Sequence, residues 1–143
     1  MLKNYAEAIA VIQKLTQPNI YEAMLTDIGN VIRLSILSKT AVGFSYLNQR
    51  FTPYSEAYKK FKIKRGYSAT VNLSLTGQML GSLEQSVEKR QLTIKFSNNE
   101  AAKKAYYNEE GRVPRHFIGV NKDTIDVIDD VIERHINKVL NVR

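Results

Sequence analysis

Residues able to do chemistry gather in two places along the chain. Between Arg50 and Arg65 lie six basic side chains, Arg50, Lys59, Lys60, Lys62, Lys64 and Arg65, against a single acid, Glu56. Aromatic rings are interleaved with them, and residues 44–70 hold seven of the chain's thirteen aromatics. Cations neutralise phosphate or carboxylate charge, and rings stack on bases. The stretch is therefore a candidate face toward DNA or toward an acidic protein. The competing reading is a solvated positive face whose tyrosines pack on the core. The second place surrounds His116, which sits between Arg115 and Phe117, with Tyr106, Tyr107, Glu109 and Glu110 close by in sequence. General acid–base logic can assemble an RNA-cleaving site from such residues. Nothing in their spacing fixes a geometry, and a surface or interface histidine is the expectation.

Other candidates carry less. Asp123, Asp126, Asp129 and Asp130 read as the solvated face of a helix, with acids favoured in its first turn. His135 reads as a boundary residue. Gly77 and Gly81 have Gly-x-x-x-Gly spacing outside any long apolar run, and no Gly-Lys-Thr/Ser follows, so a turn and a tight helix contact are expected rather than a phosphate loop. The chain has no cysteine, which excludes disulfides and thiolate chemistry, and two histidines far apart do not suggest zinc. No catalytic residue, metal ligand or cofactor is assigned, and an enzyme is not expected.

The 143 residues amount to one domain, 43% hydrophobic and 24% charged, with a net charge of +7. A basic balance favours polyanions as partners. No apolar run reaches the roughly 18 residues that span a bilayer, and the first residues lack the apolar core of a signal peptide. The expectation is a protein that stays in the cytosol where it is made and meets no membrane.

These side chains need elements to position them. Tyr5 to Leu15 has helical apolar spacing, ended by Pro18. A second helix is expected from an Asn19 cap, with Glu22 closing a capping box, to about Lys39, with Gly43 as the stop. Gly29 inside it marks either a close packing contact or a weak spot. Residues 44–70 read as a long basic loop, with a short helix at 55–61, and the loop is expected to be dispensable for the fold. Val71, Leu73 and Leu75 alternate with polar residues as a strand does. Thr76 and Gly77 then break the alternation, and a short helix starts near Met79. A further strand is expected over 88–98, with Leu92, Ile94 and Phe96 facing the core. Asn98 and Asn99 should cap a helix over 100–109, stopped by Gly111. An extended segment anchored by Phe117 and Val120 follows. The closing helix, capped by Asp123 or Thr124, shows the stripe Ile125, Ile128, Ile132, Ile136 and Val139. The fold class is α+β: N-terminal helices, a small antiparallel sheet of three to four strands with a long basic loop, and a closing C-terminal helix. One domain spans 1–143, with a helical part to 43, the loop at 44–70, and the sheet and last helix from 71.

Read in order, the segments Pro53-Tyr-Ser-Glu-Ala-Tyr-Lys-Lys-Phe-Lys, Leu75-Thr-Gly-Gln-Met-Leu-Gly-Ser-Leu83, Tyr107-Asn-Glu-Glu-Gly111 and Pro114-Arg-His-Phe-Ile-Gly119 form a series. The series resembles the tail-completion or virion-morphogenesis proteins of tailed bacteriophages over roughly residues 51 to 140. Phe51 stands where that family often has tryptophan, and the N-terminal helices lie outside the likeness. The resemblance implies a structural role as a tail-completion, head–tail joining or neck protein. It implies a homo-oligomeric ring, a hexamer being one ring that would serve, in contact with tail tube, tail terminator or neck and connector proteins. Non-specific contact with packaged DNA would follow, as would a place in the virion after assembly in the host cytoplasm. A free nucleic-acid-binding protein using the 50–65 patch, and a small nuclease or toxin-like enzyme, are the competing functions.

Overall fold

The computed structural model describes residues 4–141. Helix α1 (Tyr5–Leu15) starts where Asn4 accepts the Glu7 N–H at 2.9 Å. Helix α2 (Pro18–Ala41) begins at the proline itself, whose fixed φ suits a first helical position and whose missing N–H leaves no donor orphaned. Gln17 is the cap residue and no side chain caps this end, so the expected Asn19–Glu22 capping box does not form. Gly43, with φ of +88°, turns the chain out of α2.

The short helix expected at 55–61 within the basic segment forms and runs on to Lys64. After an antiparallel bridge between Phe44 and Arg50, α3 (Glu56–Lys64) starts at Ser55, whose hydroxyl accepts the Tyr58 N–H at 3.3 Å. The strand expected at 71–75 is absent. Side chains take the backbone donors that a ladder would need: Tyr54 Oη accepts the Leu73 N–H at 3.1 Å, and Asn72 Oδ1 accepts the Ser74 N–H at 3.2 Å. Leu73 is left at φ +52°, off any strand geometry, though its side chain is buried as alternation required. Gly77, at φ +75°, leads into the single turn α4 (Gln78–Gly81) in place of the expected Thr76 cap.

The first strand lies later than expected. β1 (Leu83–Glu88) pairs antiparallel with β2 (Gln91–Phe96), with Leu83 opposite Phe96, Gln85 opposite Ile94 and Val87 opposite Leu92. These six side chains share the face that meets α2, and the other face is polar. Among the described residues the sheet has two strands, not three or four. The turn Lys89–Arg90 places two non-glycine residues at positive φ, 48° and 65°. Arg90 rests 5.3 Å from the centre of the Tyr21 ring.

Asn98 caps α5 (Asn99–Glu110) by accepting the Ala101 N–H at 2.9 Å. Gly111, the C-cap of α5, donates its N–H to the Tyr107 carbonyl at 3.1 Å, and a Cβ there would collide with that carbonyl. Asn121, rather than Asp123 or Thr124, caps α6 (Lys122–Leu140), accepting the Thr124 N–H at 3.0 Å. Thr124 is instead buried against α2, its hydroxyl 2.8 Å from that of Ser35. Of the expected stripe of α6, Ile128, Ile132, Ile136 and Val139 are part-buried, whereas Ile125 is 48% exposed and Val131, 2% exposed, is the most buried apolar residue of the helix. Val120, at 37% exposure, is no anchor, while Phe117, at 1%, is.

Helix α2 is the hub on which α6, β1, β2 and α1 pack. Gly29 permits the sheet's approach, since a Cβ there would sit 2.6 Å from Gln85 Oε1 and 2.8 Å from Leu92 Cδ1. The core gathers Ile36, Phe51, Leu73, Met79, Leu83, Ala101, Ala105 and Phe117. Helix α1 contributes no buried residue. The fold is α+β, and no described helix is long and apolar enough to cross a membrane.

Candidate functional site

Capping by Ser55 sets the register of α3, and that register divides the basic cluster. Lys62 falls on the inner side and is 0% exposed. Its Nζ donates to Asn72 Oδ1 at 2.9 Å and to the Thr70 carbonyl at 3.4 Å, and lies 5.0 Å from the centre of the Tyr54 ring. Burial lowers the Lys62 pKa from its ordinary value. The expectation that Lys62 faces DNA or a partner is therefore overturned: it is a core residue. Lys59 is held by Glu56 at 2.9 Å. Arg65 lies over the Phe61 ring at 4.5 Å. Arg50 lies over Phe44 at 5.0 Å, on the 44–50 bridge rather than on α3. Lys60 and Lys64 project from the outer side of α3, exposed and without an ion pair among the described residues.

Rings run beside these cations. Tyr54 meets Tyr58 edge-on at 4.8 Å, and Tyr58 stacks on Phe61 at 5.9 Å. Arg115 lies 5.0 Å from the Tyr54 ring centre and donates from Nε to the Thr52 carbonyl at 2.9 Å and from Nη2 to the Pro53 carbonyl at 3.1 Å. Burial raises the Tyr54 pKa, against the opposing pull of the Leu73 N–H bond and of Arg115. Cation–ring contacts of this kind contribute about 0.5–2 kcal/mol each. They order the aromatic segment from within the chain.

The residues around His116 are drawn together, but for a structural task. Glu109 Oε1 accepts the N–H groups of both Phe117 and Ile118 at 2.8 Å, and its Oε2 lies 3.0 Å from His116 Nδ1. The carboxylate thus clamps the extended segment onto α5 and sets Phe117 in the core. Tyr106 and Tyr107 point outward, exposed, and meet each other at 6.1 Å. At Gly119 a Cβ would lie 2.5 Å from the Tyr46 ring, so the glycine lets that ring cover the backbone. Among the described residues no three His, Asp or Glu side chains gather as a metal site. Asp123 instead accepts from Asn48 Nδ2 at 3.0 Å, and Asp126 pairs with Lys122 at 3.1 Å. His135 joins Asp27 at 2.8 Å, fastening α6 to α2 as a boundary residue would.

Between α3, the 73–78 segment and α5 lies a groove of about 600 Å³, walled by Tyr54, Tyr58, Leu73 and Met79, with Lys104 and Arg115 also lining it. No family model, no curated protein and no solved structure matches the chain. The surface chemistry bears on its function directly. It offers cations, rings and exposed aliphatic side chains. Three of the residues that build it were not singled out from the sequence. Tyr54 was one aromatic among seven, Asn72 was placed on a strand, and Glu109 carries no mark separating it from Glu110 beside it.

Proposed function

We propose that the chain is a structural subunit of a bacteriophage virion, acting in tail completion or at the neck, and working by packing against copies of itself and adjoining virion proteins. One observation carries this reading. The molecule exposes 9810 Å², against about 7,500 Å² for a compact folded monomer of this size. Part of the excess is large and apolar: Tyr5, Ile12, Leu34, Val42, Ile63, Tyr106 and Tyr107 are all exposed. Apolar surface marks association where it is contiguous, as at Tyr106 and Tyr107, whose exposed rings lie 6.1 Å apart. The ordered series of segments from residue 51 to 140 supplies the virion context. Peptide mass spectrometry of purified particles tests the reading: the chain is expected at a fixed copy number, and its absence from particles would overturn it.

The basic face supports a second reading, binding to nucleic acid through α3, in which exposed Phe61 and Tyr67 would supply rings for stacking. With Lys62 buried and Lys59 already paired, Lys60 and Lys64 remain on α3, with Arg65 at its C-cap. Three phosphate contacts give a salt slope of about −3 on duplex DNA, hence weak binding. A DNA titration with a much steeper slope, lost in Lys60→Ala/Lys64→Ala, would favour this reading over the first.

A further inference from the structure

The outer side of α6 carries acids that the helix itself does not need. Asp126, Asp129, Asp130 and Glu133 recur at three- and four-residue spacing, opposite the buried Thr124 and Val131. Among the described residues only Asp126 of these four has an ion-pair partner. Like charges at such spacing weaken a helix, and the dipole rewards acids only in the first turn. Ile125 and Val127 flank the ridge and are half-exposed. In a chain of net charge +7 these four acids outnumber the bases beside them, Lys122, which pairs with Asp126, and Arg134, which shares a shallow hollow with Asp130 and Glu133.

The outer side of α3 is its complement. Lys60 and Lys64 stand free, Arg65 lies over Phe61, and Ile63 is exposed between them. Cations bordered by apolar side chains thus face outward on one element, and acids bordered by apolar side chains face outward on another. The two elements are anchored separately, α6 on α1 and α2, and α3 on the segments carrying Tyr54 and Asn72. We propose that the acidic ridge of α6 in one copy seats on the basic face of α3 in the next. The proposal rests on the assembly reading above and gives it a specific contact. Unlike patches meeting in this way make a head-to-tail interface, which closes as a ring or runs on as a filament according to the rotation between copies.

Charge reversal tests it. The variants are Asp129→Lys/Asp130→Lys/Glu133→Lys and Lys60→Glu/Lys64→Glu/Arg65→Glu, with far-UV circular dichroism confirming that each retains its fold. Sedimentation velocity at low salt is expected to show wild-type self-association, and at least about tenfold weaker association of either variant alone. Mixing the two variants should restore association, because each then offers the face that the other lacks. A wild-type oligomer unaffected by either reversal would overturn this contact while leaving the assembly reading intact. Failure of the mixture to associate would show that these faces meet some other molecule, and would overturn it as well. A wild-type chain that stays monomeric at every concentration would also overturn it, and the assembly reading would then stand on the particle composition alone.

Discussion

Lys62 is a charge held inside the protein by two oxygens and a ring, with no carboxylate within ion-pair reach among the described residues. Its pKa is lowered by burial from 10.5. Between that lowered value and 10.5 the unfolded chain binds more protons than the folded one, so stability rises with pH across this window. Lys62→Met has no such term. The difference in urea midpoint between wild type and Lys62→Met should therefore move in favour of wild type as pH climbs from about 7 to about 10. Parallel curves would show that Lys62 is solvated. Tyr54 works the other way. Its pKa is raised above 10.0, so its contribution holds below that value and is lost as pH rises through the folded value. The decline of wild type above about pH 10 should be shallower in Tyr54→Phe. At Glu109 two backbone donors share one carboxylate oxygen. Glu109→Ala orphans both, and since a hydrogen bond to a charged group contributes about 1.5–3 kcal/mol, a loss of about 3 kcal/mol is expected in chemical denaturation. A loss below about 0.5 kcal/mol would mean that water replaces the clamp.

At the scale of elements, the register of α6 is the clearest test. Val131→Asp places an unpaired charge in the core and should unfold the domain, whereas Ile125→Asp should change stability by no more than about 0.5 kcal/mol. Equal effects on the melting temperature would refute the placement of Ile125 outside the packed face. Gly29→Ala gains about 1 kcal/mol of helix propensity but must displace Gln85 and Leu92, so a net loss of about 1–2 kcal/mol is expected from the denaturation midpoint. Helices were legible because their apolar spacing is local: α1 begins and ends where its periodicity does and Asn98 and Gly111 bracket α5 as written, whereas the caps of α2, α4 and α6 fall on other residues than those expected. The sheet was not. Val71-Asn-Leu-Ser-Leu75 alternates like a strand, yet its donors are captured by Tyr54 and Asn72, contacts that no local pattern announces. β1 hid for the opposite reason. Gln85 occupies its central core-facing position, tolerated because Nε2 bonds the Thr26 carbonyl at 3.0 Å and Asn30 at 3.1 Å across the sheet–helix contact. The basic cluster was legible as composition, but its division into buried Lys62 and free Lys60 and Lys64 depends on the register of α3, which starts at Ser55.

For the whole molecule, the segment 52–65 is not an appendage. Thr52 and Pro53 are bonded by Arg115, Tyr54 holds Leu73, and Lys62 holds Asn72. Deleting it should therefore collapse the packing around Leu73 and Met79, with cooperative melting lost by circular dichroism. A deletion variant melting as wild type does would return the segment to the status of a loop. Helix α1 stands at the other extreme, because it buries none of its residues. Ala8, Val11 and Leu15 are only part-buried, so the helix can peel away at modest cost while the remainder stays shut. Amide exchange should then run fast over 5–15 and slow along the middle of α2, and trypsin should cut at Lys14 before it touches the rest. The amino-terminal helix should therefore be the first element to come away from the body of the protein.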